Sequence, residues 1–162
     1  GSLLMEIAHQ TSVPAGRAEV GVRYVLRNPS DEPLELLFSP ELNLNLLAPD
    51  SNDRLYEFEG VIGPGPRMKT AGEIEQASWI ALVDMSQNFR VRIEFDPPTN
   101  LFRHPVETVS QSEGGFELLY QGSAILPRFR MMLDPGRSRE VTMRLQIQQL
   151  DEDAVVPTTE ED

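Results

Sequence analysis

The sequence predicts an all-β domain, an antiparallel β-sandwich, on three observations. Apolar and polar residues alternate at period two in several separate stretches, which puts one class on each face of an extended strand. Clusters of Pro, Gly, Asn and Asp punctuate those stretches. No window carries a sustained apolar stripe at the helical period of 3.6 residues with capping residues at its ends. Many short strands with one apolar face bury it by packing sheet against sheet, so a sandwich or barrel follows.

Taken in order, a strand is expected at Leu3 to Ala8. The next is clearer: Val20, Val22, Tyr24 and Leu26 alternate with Glu19, Gly21, Arg23 and Val25, and the run stops at the turn cluster Asn28-Pro29-Ser30-Asp31. Shorter strands are expected at Leu34 to Phe38, Glu41 to Leu47, Leu55 to Phe58 and Trp79 to Val83. Phe89, Val91, Ile93 and Phe95 alternate strictly with Arg90, Arg92, Glu94 and Asp96, the pattern of a half-buried strand. Strands at Phe116 to Tyr120 and Phe129 to Leu133 precede a last one, where Val141, Met143, Leu145 and Ile147 alternate with Glu140, Thr142, Arg144 and Gln146. Asp134-Pro135-Gly136 reads as a hairpin connection, while Pro64-Gly65-Pro66 and Asp96-Pro97-Pro98 read as longer loops. There is no internal repeat of fixed period.

The 162 residues suffice for one domain with a real core, assigned to residues 3–150. Gly1-Ser2 reads as a cloning scar, which makes the chain a piece of something longer. Residues 151–162 read as a disordered acidic tail whose removal leaves stability unchanged. The net charge of -12 includes six acidic residues in that tail, and the remainder is still acidic. Phosphate backbones and anionic membranes are held by clustered Lys and Arg, so neither nucleic acid nor a membrane is an expected partner. The chain has no cysteine, which removes disulfides, thiolate metal sites and thiol nucleophiles. There is no run of about 18 apolar residues and no signal-peptide layout, and a cytoplasmic setting is the expectation.

The most tempting chemistry lies in His104-Pro105-Val106-Glu107, since a histidine and a carboxylate can act as acid and base or share a metal. Pro105 blocks a helical pairing of the two, and the other histidine, His9, is distant in sequence, so a loop histidine with a structural hydrogen bond is the plainer reading. Glu107, Glu113 and Glu117 are carboxylates of the kind glycoside hydrolysis requires in pairs, against the plainer reading of solvated glutamates. Trp79 and Tyr120 offer aromatic planes for a sugar ring, although their apolar flanks favour burial in the core. Asn43 and Asn45 place two amides opposite the leucines of their strand. No nucleophile elbow, phosphate-binding loop, metal site or cofactor motif is present.

The segment Phe102 to Gln121 is dense in small and polar groups. Its Pro-Val-Glu-Thr-Val-Ser-x-Ser-Glu-Gly-Gly-Phe-Glu pattern at Pro105 to Glu117, read with Phe38 to Asn43 and Gln121-Gly122-Ser123, resembles the C-terminal β-sandwich domain of glycoside hydrolase family 57 enzymes, the α-amylases and 4-α-glucanotransferases. The resemblance runs from about Glu19 to Gln149. It implies a galactose mutarotase-like supersandwich and a family whose catalytic carboxylates lie in a preceding α/β barrel, of which nothing is visible here. Mutarotase itself uses a histidine and a glutamate, but no position here matches them. The resemblance thus implies a non-catalytic accessory domain with no catalytic residue, cofactor or metal of its own, and the α-glucan or the enzyme's own catalytic domain as partner. His104, Glu107, Glu113, Trp79 and Tyr120 are the candidate ligand-binding residues. The alternatives are a mutarotase-like enzyme using His104 with Glu107 or Glu113, and a protein-interaction β-sandwich.

Overall fold

The computed structural model describes residues 4–61, 65–112 and 115–150. Over these the chain is built of strands: β1 (Glu6–Ser12), β2 (Glu19–Arg27), β3 (Leu34–Phe38), β4 (Leu42–Leu44), β5 (Arg54–Phe58), β6 (Gly72–Asp84), β7 (Phe89–Ser112), β8 (Gly115–Leu133) and β9 (Ser138–Gln149). All the pairings are antiparallel. Among the described residues no helix is long and apolar enough to cross a membrane. Glu113 and the two stretches expected to be a cloning scar and a disordered tail, residues 1–2 and 151–162, fall outside the described residues.

One layer runs β1-β2-β9-β7-β6-β5. The other is built on β8, which pairs with β3, β4 and the second half of β7. Strand β7 belongs to both layers. It pairs with β9 as far as Asp96 and with β8 from Asn100 onward. Pro97 and Pro98, expected in a loop, sit in the gap between these two ladders, where a missing backbone N–H costs no strand hydrogen bond.

The same continuity corrects two further expectations. Phe116 to Tyr120 and Phe129 to Leu133 are two ends of the single strand β8, because residues 122–128 between them stay paired to β7, with Gln121 the one extra residue at a register shift. Asp134-Pro135-Gly136 does make a turn, with the Arg137 amide donating to the Asp134 carbonyl at 3.0 Å, but it is no hairpin. β8 and β9 do not pair with each other, and the turn carries the chain from one layer to the other. Asn28 holds this corner. Fully buried, its side-chain Nδ2 donates to the carbonyls of Glu32 and Leu133 at 2.7 and 2.9 Å, and its main-chain carbonyl accepts the Gly136 amide at 2.9 Å.

The alternation read from the sequence becomes the core. Across the first layer Val20, Leu145, Ile93, Ile80 and Phe58 lie in one register row, flanked by the rows Val22–Met143–Phe95 and Ile147–Val91–Leu82–Tyr56. Ile80, Leu82, Ile93 and Tyr56 are fully buried and pack in one cluster with Ile125, Phe129 and Leu133 of the second layer. An aromatic edge bridges the layers, Tyr24 of β2 meeting Phe38 of β3 at 5.0 Å between ring centres, and Phe38 in turn stacks on its cross-strand partner Phe129 at 6.5 Å.

Candidate functional site

The polar residues that alternate with this core line the outer face of the first layer. Register places Ser12, Gly21, Arg144, Glu94 and Trp79 side by side across β1, β2, β9, β7 and β6. They form the floor of an open groove of about 650 Å³, with Gln10, Arg23, Asp96 and Thr142 also lining it. Gly21 keeps the floor low, since a Cβ there would come within 2.6 Å of the Ser12 hydroxyl.

Three charges are locked together beside the indole. Glu94 accepts from Arg92 Nε at 3.1 Å and from Arg144 Nε at 2.9 Å, with a second, shorter contact from Arg144 Nη2. The hydrogen bonds from Arg144 foremost, with those from Arg92, hold the Glu94 carboxyl below the usual carboxylate range. The hydrogen bonds to Glu94, and then its charge, in turn raise the Arg144 guanidinium. The Arg92 guanidinium stacks over the Trp79 ring, 4.0 Å from its centre. The groove therefore combines an aromatic plane with fixed donors and acceptors, which suits a polyhydroxylated ligand better than an apolar or strongly anionic one.

Of the sequence-derived candidates, Trp79 lies in this groove, half-buried on the outer face rather than in the core. The other described candidates, His104, Glu107 and Tyr120, do not join it, and Glu113 lies outside the described residues. His104 and Glu107 project from opposite faces of β7, because an odd spacing on a strand reverses the side chain and the one register shift nearby leaves an extra residue on β8, not on β7. His104 lies beside Phe102, with Nδ1 3.0 Å from the Pro105 carbonyl oxygen, so the plainer structural reading describes it well. It is on a paired strand, however, not in a loop.

Glu107 sits directly across from Tyr120. Tyr120 is half-buried and its hydroxyl is 2.7 Å from that of the fully buried Ser123. Burial pushes the Tyr120 hydroxyl up in pKa. Next to it Arg103, almost wholly buried, donates from Nη1 to the Thr70 carbonyl at 2.5 Å and to its hydroxyl at 3.0 Å. The guanidinium also lies 4.5 Å from the Tyr56 ring centre. Burial depresses the Arg103 guanidinium and raises the Tyr56 hydroxyl. This cluster anchors β7 and β8 to the segment before β6. Among the described residues no group of three or more His, Asp or Glu is placed to hold a metal ion.

Sequence reasoning missed Arg92, Glu94, Arg144 and Gly21 as site residues. The alternation that put them on the polar face was legible, but a polar face is ordinarily just solvated. Only the register makes them neighbours.

Comparison with known proteins bears on this geometry. A family model described as "Alpha-amylase/4-alpha-glucanotransferase, C-terminal" matches residues 3–143. Alpha-amylase 1 of Dictyoglomus thermophilum is 36% identical over 126 residues, which are 77% of this chain and 18% of that protein. Among solved structures, the 4-alpha-glucanotransferase of Thermococcus litoralis superposes with a TM-score of 0.61 at 21% identity, over 88% of this chain and 18% of that one. The GalM/aldose epimerase homologue of C. elegans superposes with a TM-score of 0.62 at 12% identity, over 91% of this chain and 61% of that one. At such identities these two likenesses concern the fold, and they match the galactose mutarotase-like type expected. The chain spans about a fifth of the length of the amylase and the glucanotransferase.

Proposed function

The chain belongs to the α-amylase/4-α-glucanotransferase C-terminal family, and from that premise we propose that it is a non-catalytic accessory domain of an α-glucan-processing enzyme, binding glucan in the groove around Trp79. The observation that carries the reading is the row Gly21–Arg144–Glu94–Trp79, an aromatic plane beside fixed charges on an open sheet face. Pyranose rings present C–H faces that pack on an indole, and their hydroxyls bond to both carboxylate and guanidinium. Glucans are neutral, which also accords with a groove whose arginines, Arg23, Arg92 and Arg144, are each paired with a carboxylate. The catalytic carboxylates are supplied by another domain, and the enzyme works in the cytoplasm.

The non-catalytic half of the reading is supported by the opposed directions of His104 and Glu107, since a general acid and base acting on one sugar must converge. Trp79 is the only tryptophan, so its emission reports on the groove alone. Titration with maltooligosaccharides is expected to change that emission saturably. Gly21→Val, which fills the floor, and Arg144→Ala are expected to weaken the response about tenfold, a loss of roughly 1.4 kcal/mol. A response that neither change weakens places glucan elsewhere or nowhere. The same mixtures assayed for anomer interconversion and glucan cleavage are expected to show no turnover, and turnover lost in His104→Ala would overturn the proposal in favour of a mutarotase-type enzyme.

A further inference from the structure

β6 leaves β7 at Arg103 and β4 leaves β8 at Ser123, but β7 and β8 go on pairing with each other through Val106–Gly122 and out to Ser112–Gly115. Among the described residues no third strand flanks this stretch. It is a two-stranded ribbon running on beyond the sandwich, with no strand of the described residues paired to either edge. Alternation along it puts the cross-strand pairs Glu107–Tyr120, Val109–Leu118 and Gln111–Phe116 on one face. On that face Val109, Leu118 and Phe116 are 67%, 62% and 78% exposed. A lone two-stranded ribbon is marginal in water, and a contiguous exposed apolar face marks a place where something else packs. The root of the ribbon, by contrast, is firmly held by the Tyr120–Ser123 and Arg103–Thr70 hydrogen bonds.

Two observations choose the occupant. The described part of the ribbon, residues 106–112 and 115–122, carries Glu107 and Glu117 and neither Lys nor Arg, in a chain of net charge -12. Two copies meeting through it would bring like charges together, whereas a surface bearing Lys or Arg complements it. The amylase and the glucanotransferase devote 18% of their length to the region this chain matches, so in them this domain is joined to a much larger body. We infer that residues 106–112 and 115–122 form a docking arm, its Val109–Leu118–Phe116 face seated in an apolar hollow rimmed by Lys or Arg on the catalytic domain of the same enzyme. The inference rests on the accessory-domain reading above, but not on glucan binding in the groove.

Two measurements test it, with Phe116→Glu and Leu118→Glu as variants. In the 162-residue chain alone both positions are exposed, so the variants are expected to keep the parent melting temperature and the parent Trp79 response to maltooligosaccharide. The chain is expected to sediment as a monomer. A dimer that Phe116→Glu dissociates would overturn the inference and assign the face to a second copy. The second measurement uses the full-length α-amylase 1 of Dictyoglomus thermophilum with this chain in place of its matching segment. Calorimetry is expected to show one coupled transition, which either variant splits into two, and coupling is expected to weaken with added salt. A chimera that melts in two steps without any substitution, or one whose single transition the variants leave intact, sinks the docking arm. Loss of the glucan response with coupling retained would instead remove only the groove's proposed role.

Discussion

Glu94 shows how a single residue acquires its properties from strands far apart in sequence. With Arg92 two residues away and Arg144 on the neighbouring strand, its carboxylate is stabilised and its pKa is lowered. A group depressed in the folded state adds stability above its unfolded pKa, and that stability is lost as pH falls through the folded value. The groove's charge network is therefore expected to survive to the acid side of the ordinary carboxylate range. Arg144→Ala should move the Glu94 carboxyl back upward, which a pH titration of its side-chain carbon resonance measures directly. An unchanged midpoint would mean that Arg144 is not what holds it down. Asn28 is the structural counterpart. Its side chain satisfies two carbonyls at the corner between the layers, so Asn28→Ala leaves buried acceptors unpaired and is expected to cost about 1–3 kcal/mol per lost partner in denaturant unfolding. A change under about 0.5 kcal/mol, typical of surface sites, would refute that account.

Among the elements, β7 does the most to define the molecule. Its first half lies between β6 and β9 with Val91, Ile93 and Phe95 in the core, and its second half pairs with β8 and runs into the ribbon. Ile93 is fully buried in the middle of the first layer, so Ile93→Ala is expected to cost about 2–5 kcal/mol, the transfer of the lost methyls plus the cavity left behind. The exposed Val109 on the same strand offers the contrast. Val109→Ala is expected to lie within about 0.5 kcal/mol of the parent in the isolated chain, as surface changes do. Comparable losses at the two positions would contradict the division of β7 into a core half and a projecting half.

At the scale of the whole molecule, a charge of -12 works against compactness through self-repulsion, while surface ion pairs such as Arg23–Glu140 and Arg27–Glu6 contribute little each. Salt screens both, and the repulsion is the larger effect. The melting temperature is accordingly expected to rise between about 0.01 and 0.15 M salt, where the screening length drops from about 30 to 8 Å. A fall would show that the ion pairs prevail. Family membership was legible chiefly in one run, Pro105 to Glu117, read with Phe38 to Asn43 and Gln121 to Ser123, and the described residues of that run beyond Pro105 lie in the ribbon. The strands of Val20 to Leu26, Phe89 to Phe95 and Val141 to Ile147 were legible with their buried faces, because alternation is a local property that any strand must express. Register was not legible, and with it went the groove. Gly21, Glu94 and Arg144 become neighbours only through pairings between residues more than 40 positions apart. Nor could the sequence tell the solvated side of a strand from the floor of a groove, or the loop-like Pro97-Pro98 from a strand changing partners. Which residues face inward is decided by the chain's own two-residue repeat. Which outward faces adjoin, and where β7 passes between layers, is decided by packing the whole core at once.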